Sequence, residues 1–315
     1  MITRMSAPAG SPPTPPPDSV ATVVAWHGRH LRLRRADGSL ALARAARRNL
    51  EVACGDEVRC LHDPQHDELR VLEVLPRRTA LYRSDARGRA ELVAANVELL
   101  LVVLAPLPRC DPFIADRYLA AAGSAGMAAA LLLNKCDLPV DGALAAALAG
   151  LRLAGYGVQP CSARSRDGLE ALLGLVGTRT AMLVGQSGVG KSSLTRALVP
   201  ESDAAVGELA SSAEGRHTTS TARLYDLPGG GRLLDAPGVR DFSPAVQQLD
   251  AATLGFPEVR AHAGQCRFAD CRHLAEPGCA VRAASERGAM DPRRYESYRR
   301  LQRLRAELLE RQRPY

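Results

Sequence analysis

The sequence predicts an α/β fold, a doubly wound sheet with a small β-barrel before it and a cysteine-bearing helical segment after it. Three observations carry this prediction. Short runs of β-forming residues broken by turn signals fill residues 20 to 75. Longer apolar runs alternate with helix-like stretches from Glu98 to Leu234. Three cysteines and a histidine crowd into the span from Cys266 to Cys279. At 315 residues, 46% of them hydrophobic, the chain can bury more than one core, so two or three domains are expected.

Residues 1 to 18, with Ser11-Pro12-Pro13-Thr14-Pro15-Pro16-Pro17, have almost nothing to bury and read as a disordered, partly polyproline II tail. The first strands are Val20 to Trp26, His30 to Arg34, Ser39 to Leu42, Glu57 to Leu61 and Leu69 to Leu75, split by Asp37-Gly38, Gly55-Asp56 and Asp63-Pro64. Five such strands suit a small barrel over residues 19 to 76. In His30-Leu31-Arg32-Leu33-Arg34 the apolar residues point one way and the basic ones the other. Residues 29 to 48 carry seven arginines against one acid, Asp37. Such a row is either a solvated barrel face or a grip for RNA phosphates. Trp26 has the chemistry to stack a base, but a lone tryptophan in a strand is more often core.

From Glu98 the pattern becomes that of buried parallel strands alternating with helices. Leu99 to Ala105, Ala129 to Leu133, Val158 to Cys161, Ala181 to Val184, Ala222 to Asp226 and Arg232 to Leu234 are the strands. Residues 114 to 123, 141 to 154, 167 to 177 and 191 to 198 are the helices. Ligands of such sheets bind on the loops at the strand C-termini. One of those loops is Gly185-Gln186-Ser187-Gly188-Val189-Gly190-Lys191-Ser192, followed by Ser193 at the start of a helix-like run. It is a phosphate-binding P-loop: backbone N–H groups form an anion-sized nest at a helix N-terminus, Lys191 reaches the β- and γ-phosphates, and the Ser192 hydroxyl helps to hold Mg²⁺.

A count sharpens the assignment. Of 41 basic residues only Lys135 and Lys191 are lysines, so both are expected where a compact ammonium is required. Lys135 lies in Asn134-Lys135-Cys136-Asp137, on another strand-end loop. The Asn-Lys-x-Asp pattern resembles the guanine-specificity motif of GTPases, and the chemistry explains its last residue: Asp137 can accept hydrogen bonds from guanine N1–H and its exocyclic amine, which adenine cannot match, so the expected nucleotide is GTP. Ser162-Ala163, directly after Val158 to Cys161, resembles the dipeptide whose backbone steadies guanine O6.

These guanine-reading motifs precede the P-loop, whereas GTPases ordinarily run the other way. The domain therefore reads as circularly permuted, which a sheet tolerates because its old termini lie close together at the surface. After the P-loop come Gly215-Arg216-His217-Thr218-Thr219, resembling switch one, and Asp235-Ala236-Pro237-Gly238, resembling Asp-x-x-Gly. Asp235 is expected to hold Mg²⁺ through water, Gly238 to meet the γ-phosphate, and Thr218 or Thr219 to ligate the metal. Val239 stands where many GTPases keep a water-orienting glutamine, which leaves His217 as the nearest polar candidate.

Cys266-x4-Cys271-x-His273-x5-Cys279 offers four soft ligands with no open position, the pattern of one structural Zn²⁺. The last segment, Pro292 to Arg313, has eight arginines against three glutamates, with Tyr295, Tyr298, Leu301, Leu304 and Leu308 at helical spacing. It reads as a basic amphipathic helix whose apolar stripe packs on the zinc segment and whose arginine face is a second RNA candidate.

Composition bounds the setting. Eight cysteines form no evenly spaced pairs and no apolar segment precedes a cleavage-like site, which points to a reducing cytoplasm. No run is long and apolar enough to call a membrane span. A net charge of +7 suits a polyanionic partner. A P-loop kinase would have no use for Asn134 to Asp137. A zinc-dependent duplex-DNA regulator would not need the barrel, which suits RNA shape and single strands better.

Taken together, the permuted order, GQSGVGKSS, GRHTT, DAPGVRDF and the zinc spacing resemble the RsgA (YjeQ) family of ribosome-assembly GTPases, over nearly the whole chain including Pro76 to Arg83. Switch one departs from the family pattern only at Ser220, where a third threonine is usual. The resemblance implies an OB-fold barrel (19 to 76), a circularly permuted P-loop GTPase domain (77 to 244) and a C-terminal α-helical zinc-binding domain (245 to 315). It further implies action late in maturation of the 30S ribosomal subunit, on its 16S rRNA, with hydrolysis stimulated by that subunit. A monomer is expected.

Overall fold

A computed structural model describes residues 19–27, 30–47, 49–85, 87–199, 222–236 and 243–311. The proline-rich tail, switch one with His217, Thr218 and Thr219, and Gly238 with Val239 lie outside the described residues.

Strands β1 (Ser19–His27), β2 (His30–Arg35), β3 (Leu40–Ala45), β4 (Glu57–Asp63) and β5 (Glu68–Val74) close into a barrel in the order β1-β2-β3-β5-β4-β1. Every contact is antiparallel except β3 with β5. Its core is the alternate residues of each strand, among them Val23, Leu33, Val58, Leu69 and Val71, as period-two patterning requires.

A hairpin follows, β6 (Ala80–Ser84) with β7 (Ala90–Ala95), two strands that are not among those expected from the sequence. Asp85 builds its turn: one carboxylate oxygen accepts from the N–H groups of Arg87 and Arg89, and the other from the Arg89 guanidinium.

The main sheet runs β10 (Val158–Pro160), β9 (Ala128–Leu133), β8 (Leu99–Leu104), β11 (Thr180–Gly185), β13 (Arg232–Asp235), β12 (Arg223–Asp226). All six residues of β8 are buried. Leu100, Val102 and Leu104 join one core, while Leu99, Leu101 and Val103 join the other, because helices cover both faces of the sheet. Strand β12 departs from the expected parallel arrangement: it pairs antiparallel with β13. The connection is only the Leu227 to Gly231 turn, and so short a link joins only antiparallel neighbours. The far edge of β12 meets β1 at Ala25 and Arg223, so barrel and main sheet are continuous. Arg34 of β2 forms a 2.6 Å ion pair with Asp226 across that seam.

Helices α1 (Pro112–Ser124) and α2 (Gly142–Leu153) start at Asp111 and Asp141, whose carboxylates accept from the N–H groups of Phe113 and Leu144. Helices α3 (Leu169–Val176) and α4 (Lys191–Leu198) cover the other face. Beyond Ser243 the chain is clipped to β6, with Ser84 N–H on Ser243 O at 3.0 Å and Ala245 N–H on Tyr82 O at 3.0 Å. It then forms α5 (Pro257–Ala263), α6 (Ala280–Glu286) and α7 (Pro292–Arg311). Tyr295, Tyr298 and Leu301 of α7 are buried, as the helical spacing predicts. Arg294 is also fully buried, which the spacing did not indicate. Among the described residues no helix is long and apolar enough to cross a membrane.

Candidate nucleotide site and metal centre

The parallel register of β8, β9, β10 and β11 brings their C-terminal ends to one edge of the sheet. The loops carrying Asn134 to Asp137, Ser162-Ala163 and Gly185 to Ser193 all leave from that edge. Asn134, only 2% exposed, joins the three loops. Its Nδ2 donates to Val189 O at 2.8 Å, and its Oδ1 accepts from Ala163 N–H at 3.2 Å. Gly190, the residue before α4, has φ +98, and a Cβ there would stand 2.3 Å from Asn134 Nδ2. Glycine is thus required for both the turn and the close approach.

The two lysines grip the same loop from opposite sides. Lys135 Nζ donates to Leu107 O at 2.6 Å and Gly188 O at 2.8 Å. Lys191 Nζ donates to Gly185 O and Gln186 O, both at 2.8 Å. Gln186 turns its side chain away from the loop: its amide donates to Arg109 O and its carbonyl accepts from Asp111 N–H, both at 3.1 Å. Asp137 is exposed at the mouth, whereas Ser162 is buried, with its hydroxyl accepting from Ser165 N–H at 3.2 Å. Cys136 N–H donates to Cys161 O at 3.1 Å, fastening the Asn134 to Asp137 loop to the one that carries Ser162-Ala163. Asp235 follows Leu234, which pairs with Met182 of β11, so its carboxylate belongs to the same edge as the P-loop. Ser192 lies in the first turn of α4 and Ser193 is exposed. A serine hydroxyl and a carboxylate are the hard oxygen donors that Mg²⁺ prefers.

Sequence reasoning missed Arg117. It lines a cavity of about 280 Å³ with Gly185, Gln186 and Ser187. Burial pushes its guanidinium pKa down, and its Nε has no hydrogen-bond partner among the described residues. A helical arginine three residues after an apolar Ile114 carries no local signal of this placement.

At the other end of the chain Cys266, Cys271, His273 and Cys279 come together, their ligand atoms within 4.8 Å of one another. His273 Nδ1 lies 3.4 Å from Cys266 Sγ and 3.6 Å from Cys279 Sγ. The loop between them is ordered by Glu276, whose carboxylate accepts from the N–H groups of Arg272, Leu274 and Ala275 at 2.8 to 3.0 Å. Partial burial works to raise the Glu276 pKa, but those backbone donors, with Glu276's own N–H, hold it down to about 2. Tyr295 and Tyr298 donate to the carbonyls of His273 and Arg272, so α7 supports the same loop from behind. The set can hold a metal ion.

A P-loop at the edge of a parallel sheet, joined through Asn134 to the loops of Asn134 to Asp137 and Ser162-Ala163 that precede it in the chain, defines a circularly permuted P-loop GTPase. The family model described as RsgA GTPase matches residues 74–245. A protein of Chromohalobacter salexigens named small ribosomal subunit biogenesis GTPase RsgA is 43% identical over 294 residues, covering 90% of this chain and 86% of the relative. One of the same name from Pseudomonas fluorescens strain SBW25 is 43% identical over 291 residues, covering 90% and 84%. Among solved structures, YjeQ from Thermotoga maritima superposes with a TM-score of 0.71 at 26% identity, over 92% of this chain and 99% of that one. YloQ, described as a circularly permuted GTPase, shares the fold with a TM-score of 0.68 at 22% identity. The chain belongs to the RsgA GTPase family. It is a GTP hydrolase that uses GTP with Mg²⁺.

Proposed function

We propose that this chain binds the 30S ribosomal subunit late in its maturation, contacts its 16S rRNA, and hydrolyses GTP to GDP and phosphate with stimulation by the subunit. The observation that carries the reading is an assembled guanine-and-phosphate site, tied together by Asn134, in a chain similar over 90% of its length to relatives named for small-subunit biogenesis.

In this reading Asp137 selects guanine, with Asn134, Lys135 and Cys136 shaping the base pocket and Ser162-Ala163 steadying O6. The backbone from Gly185 to Gly190, with Ser192 and Ser193, cradles the phosphates, and Lys191 neutralises the β- and γ-phosphates. Ser192, Asp235 and one of Thr218 and Thr219 hold Mg²⁺, which offsets charge on the transferring phosphoryl group. Gly238 meets the γ-phosphate, and His217 positions the attacking water.

The cluster of three thiols and one imidazole holds a structural Zn²⁺. Zn–S bonds of about 2.3 Å and Zn–N bonds of about 2.0 Å in a tetrahedron match ligand atoms separated by 3.4 and 3.6 Å. The units divide at 19 to 76, 77 to 244 and 245 to 315, and the protein works as a cytoplasmic monomer. The test is the GTPase rate with and without purified 30S subunits. The proposal expects strong stimulation, and an unchanged rate would refute it.

A further inference from the structure

Trp26, the chain's only tryptophan, is 44% exposed, contrary to the core position expected for a lone tryptophan in a strand. A register shift in β1 between Val23 and Ala25 sets which side of the strand it takes. Val23 pairs with Leu33, but beyond the bulge Trp26 pairs with Leu31. A bulge of this kind re-aims the side chains that follow it. Trp26 is thereby set beside Leu31 near the end of β1, lining a groove of about 590 Å³ with Leu50 and Val52.

The charges around this groove are unequal. Glu91 is matched by Arg83 at 2.9 Å, Glu51 faces Arg77 at 3.7 Å, and Arg44 is matched by Glu68 at 2.8 Å. Arg47, which also lines the groove, is exposed and has no carboxylate partner among the described residues. Arg77 is itself bonded to Asp56 at 2.7 Å, so what remains is one flat aromatic surface, an apolar floor and the exposed Arg47, with Glu51 also in the lining. An apolar peptide has no use for the cation, and duplex RNA cannot present a base face to the ring. An unpaired nucleotide uses both, through its base and its phosphate.

We propose that this groove takes one unpaired base of a single-stranded RNA segment, stacked on Trp26, with an adjacent phosphate on Arg47. The proposal rests on the ribosomal reading above and assigns it a contact point on the barrel.

The chain supplies its own reporter, since all tryptophan emission comes from the groove. Titration of the full-length protein with single-stranded oligouridylate or oligoadenylate is expected to quench that emission saturably, and a duplex of the same length to leave it nearly unchanged. Loss of one stacked base is worth on the order of 5- to 100-fold in affinity. Labelled-RNA anisotropy should show that loss for Trp26→Ala but little loss for Trp26→Phe. Arg47→Ala should lower the slope of log affinity against log salt by about 0.7. Emission that stays constant while anisotropy reports saturation would overturn the groove, as would Trp26→Ala binding RNA like wild type. If 30S subunits stimulate GTP hydrolysis in that case, the groove alone fails. If subunits neither bind nor stimulate, the ribosomal reading fails with it.

Discussion

Asp116 of α1 and Arg294 of α7 form an ion pair of 2.9 Å across 178 residues of chain, with neither side chain more than 1% exposed. Glu258 completes the arrangement by accepting from Arg294 Nε and Nη2, both at 2.8 Å, and Ser297 donates to Asp116 at 2.5 Å. Burial pushes the Arg294 pKa down, but the Glu258 hydrogen bonds and both carboxylate charges outweigh it and hold the group above its usual value. The guanidinium also lies 4.4 Å from the centroid of Phe256. Removing Arg294 leaves Glu258 without its cation, and Asp116 with Arg293 alone at 2.5 Å, in the interface that joins α1 to the C-terminal helices. Arg294→Met is expected to cost about 3 to 5 kcal/mol, measured by urea denaturation. Adding Glu258→Met should recover part of that loss, because one uncompensated charge goes with it.

At the P-loop, Lys191→Arg is expected to lose GTP binding nearly as completely as Lys191→Ala. The ammonium fits between Gly185 O and Gln186 O, and a planar fork does not replace a compact charge there. Equilibrium binding of a fluorescent GTP analogue checks this. Full activity of Lys191→Arg would remove the argument from lysine scarcity.

Asp137→Asn should switch or abolish guanine preference and leave the fold intact, since Asp137 is exposed and the loops are joined through Asn134. Competition of GTP against XTP for the variant is the measurement. Unchanged discrimination would show that another group reads the base.

His217→Ala is expected to lower subunit-stimulated hydrolysis by about 10²- to 10⁴-fold, the range of a water-positioning or proton-transfer role, with GTP binding nearly unchanged. Turnover within a few-fold of wild type would assign that role to the ribosome.

Glu276 gives a dependence on pH. Its folded pKa lies at about 2, below the ordinary 4.5, so its contribution to stability is complete above about 4.5 and is lost as pH falls toward 2. In chelator-treated protein, the stability difference between wild type and Glu276→Gln should be flat from pH 8 to about pH 5 and then close. A difference that opened with acidity would reverse the sign and reject the clamp.

Features encoded by local spacing were legible in the sequence: the P-loop, Asn134 to Asp137, the cysteine cluster and the alternating strands of the barrel. Features that depend on distant partners were not. Nothing near Arg294 announces Asp116 or Glu258, and a basic residue on an amphipathic helix reads as solvated until its neighbours are known. Arg34 reads as part of an RNA-facing row, yet it pairs with Asp226, so part of that row is spent on joining the barrel to the sheet. The β6–β7 hairpin was legible in principle: Leu81 and Tyr82 oppose Ala94 and Leu92 across the Asp85 to Gly88 turn. Its arginines masked the alternation. The antiparallel course of β12 was written in Pro228-Gly229-Gly230.

The seam between β1 and β12 bears on how the molecule handles force. A barrel tethered only by residues 75 to 79 would hang from the nucleotide domain and swivel. Here it is gripped at a strand edge through Ala25 and Arg223, by Arg34 on Asp226, and by Asn96 Nδ2 donating to Gly55 O at 2.9 Å. A protease that severed the tether would therefore release no barrel: the two fragments should migrate together in gel filtration until denatured. The protein would press on a binding surface as a single lever.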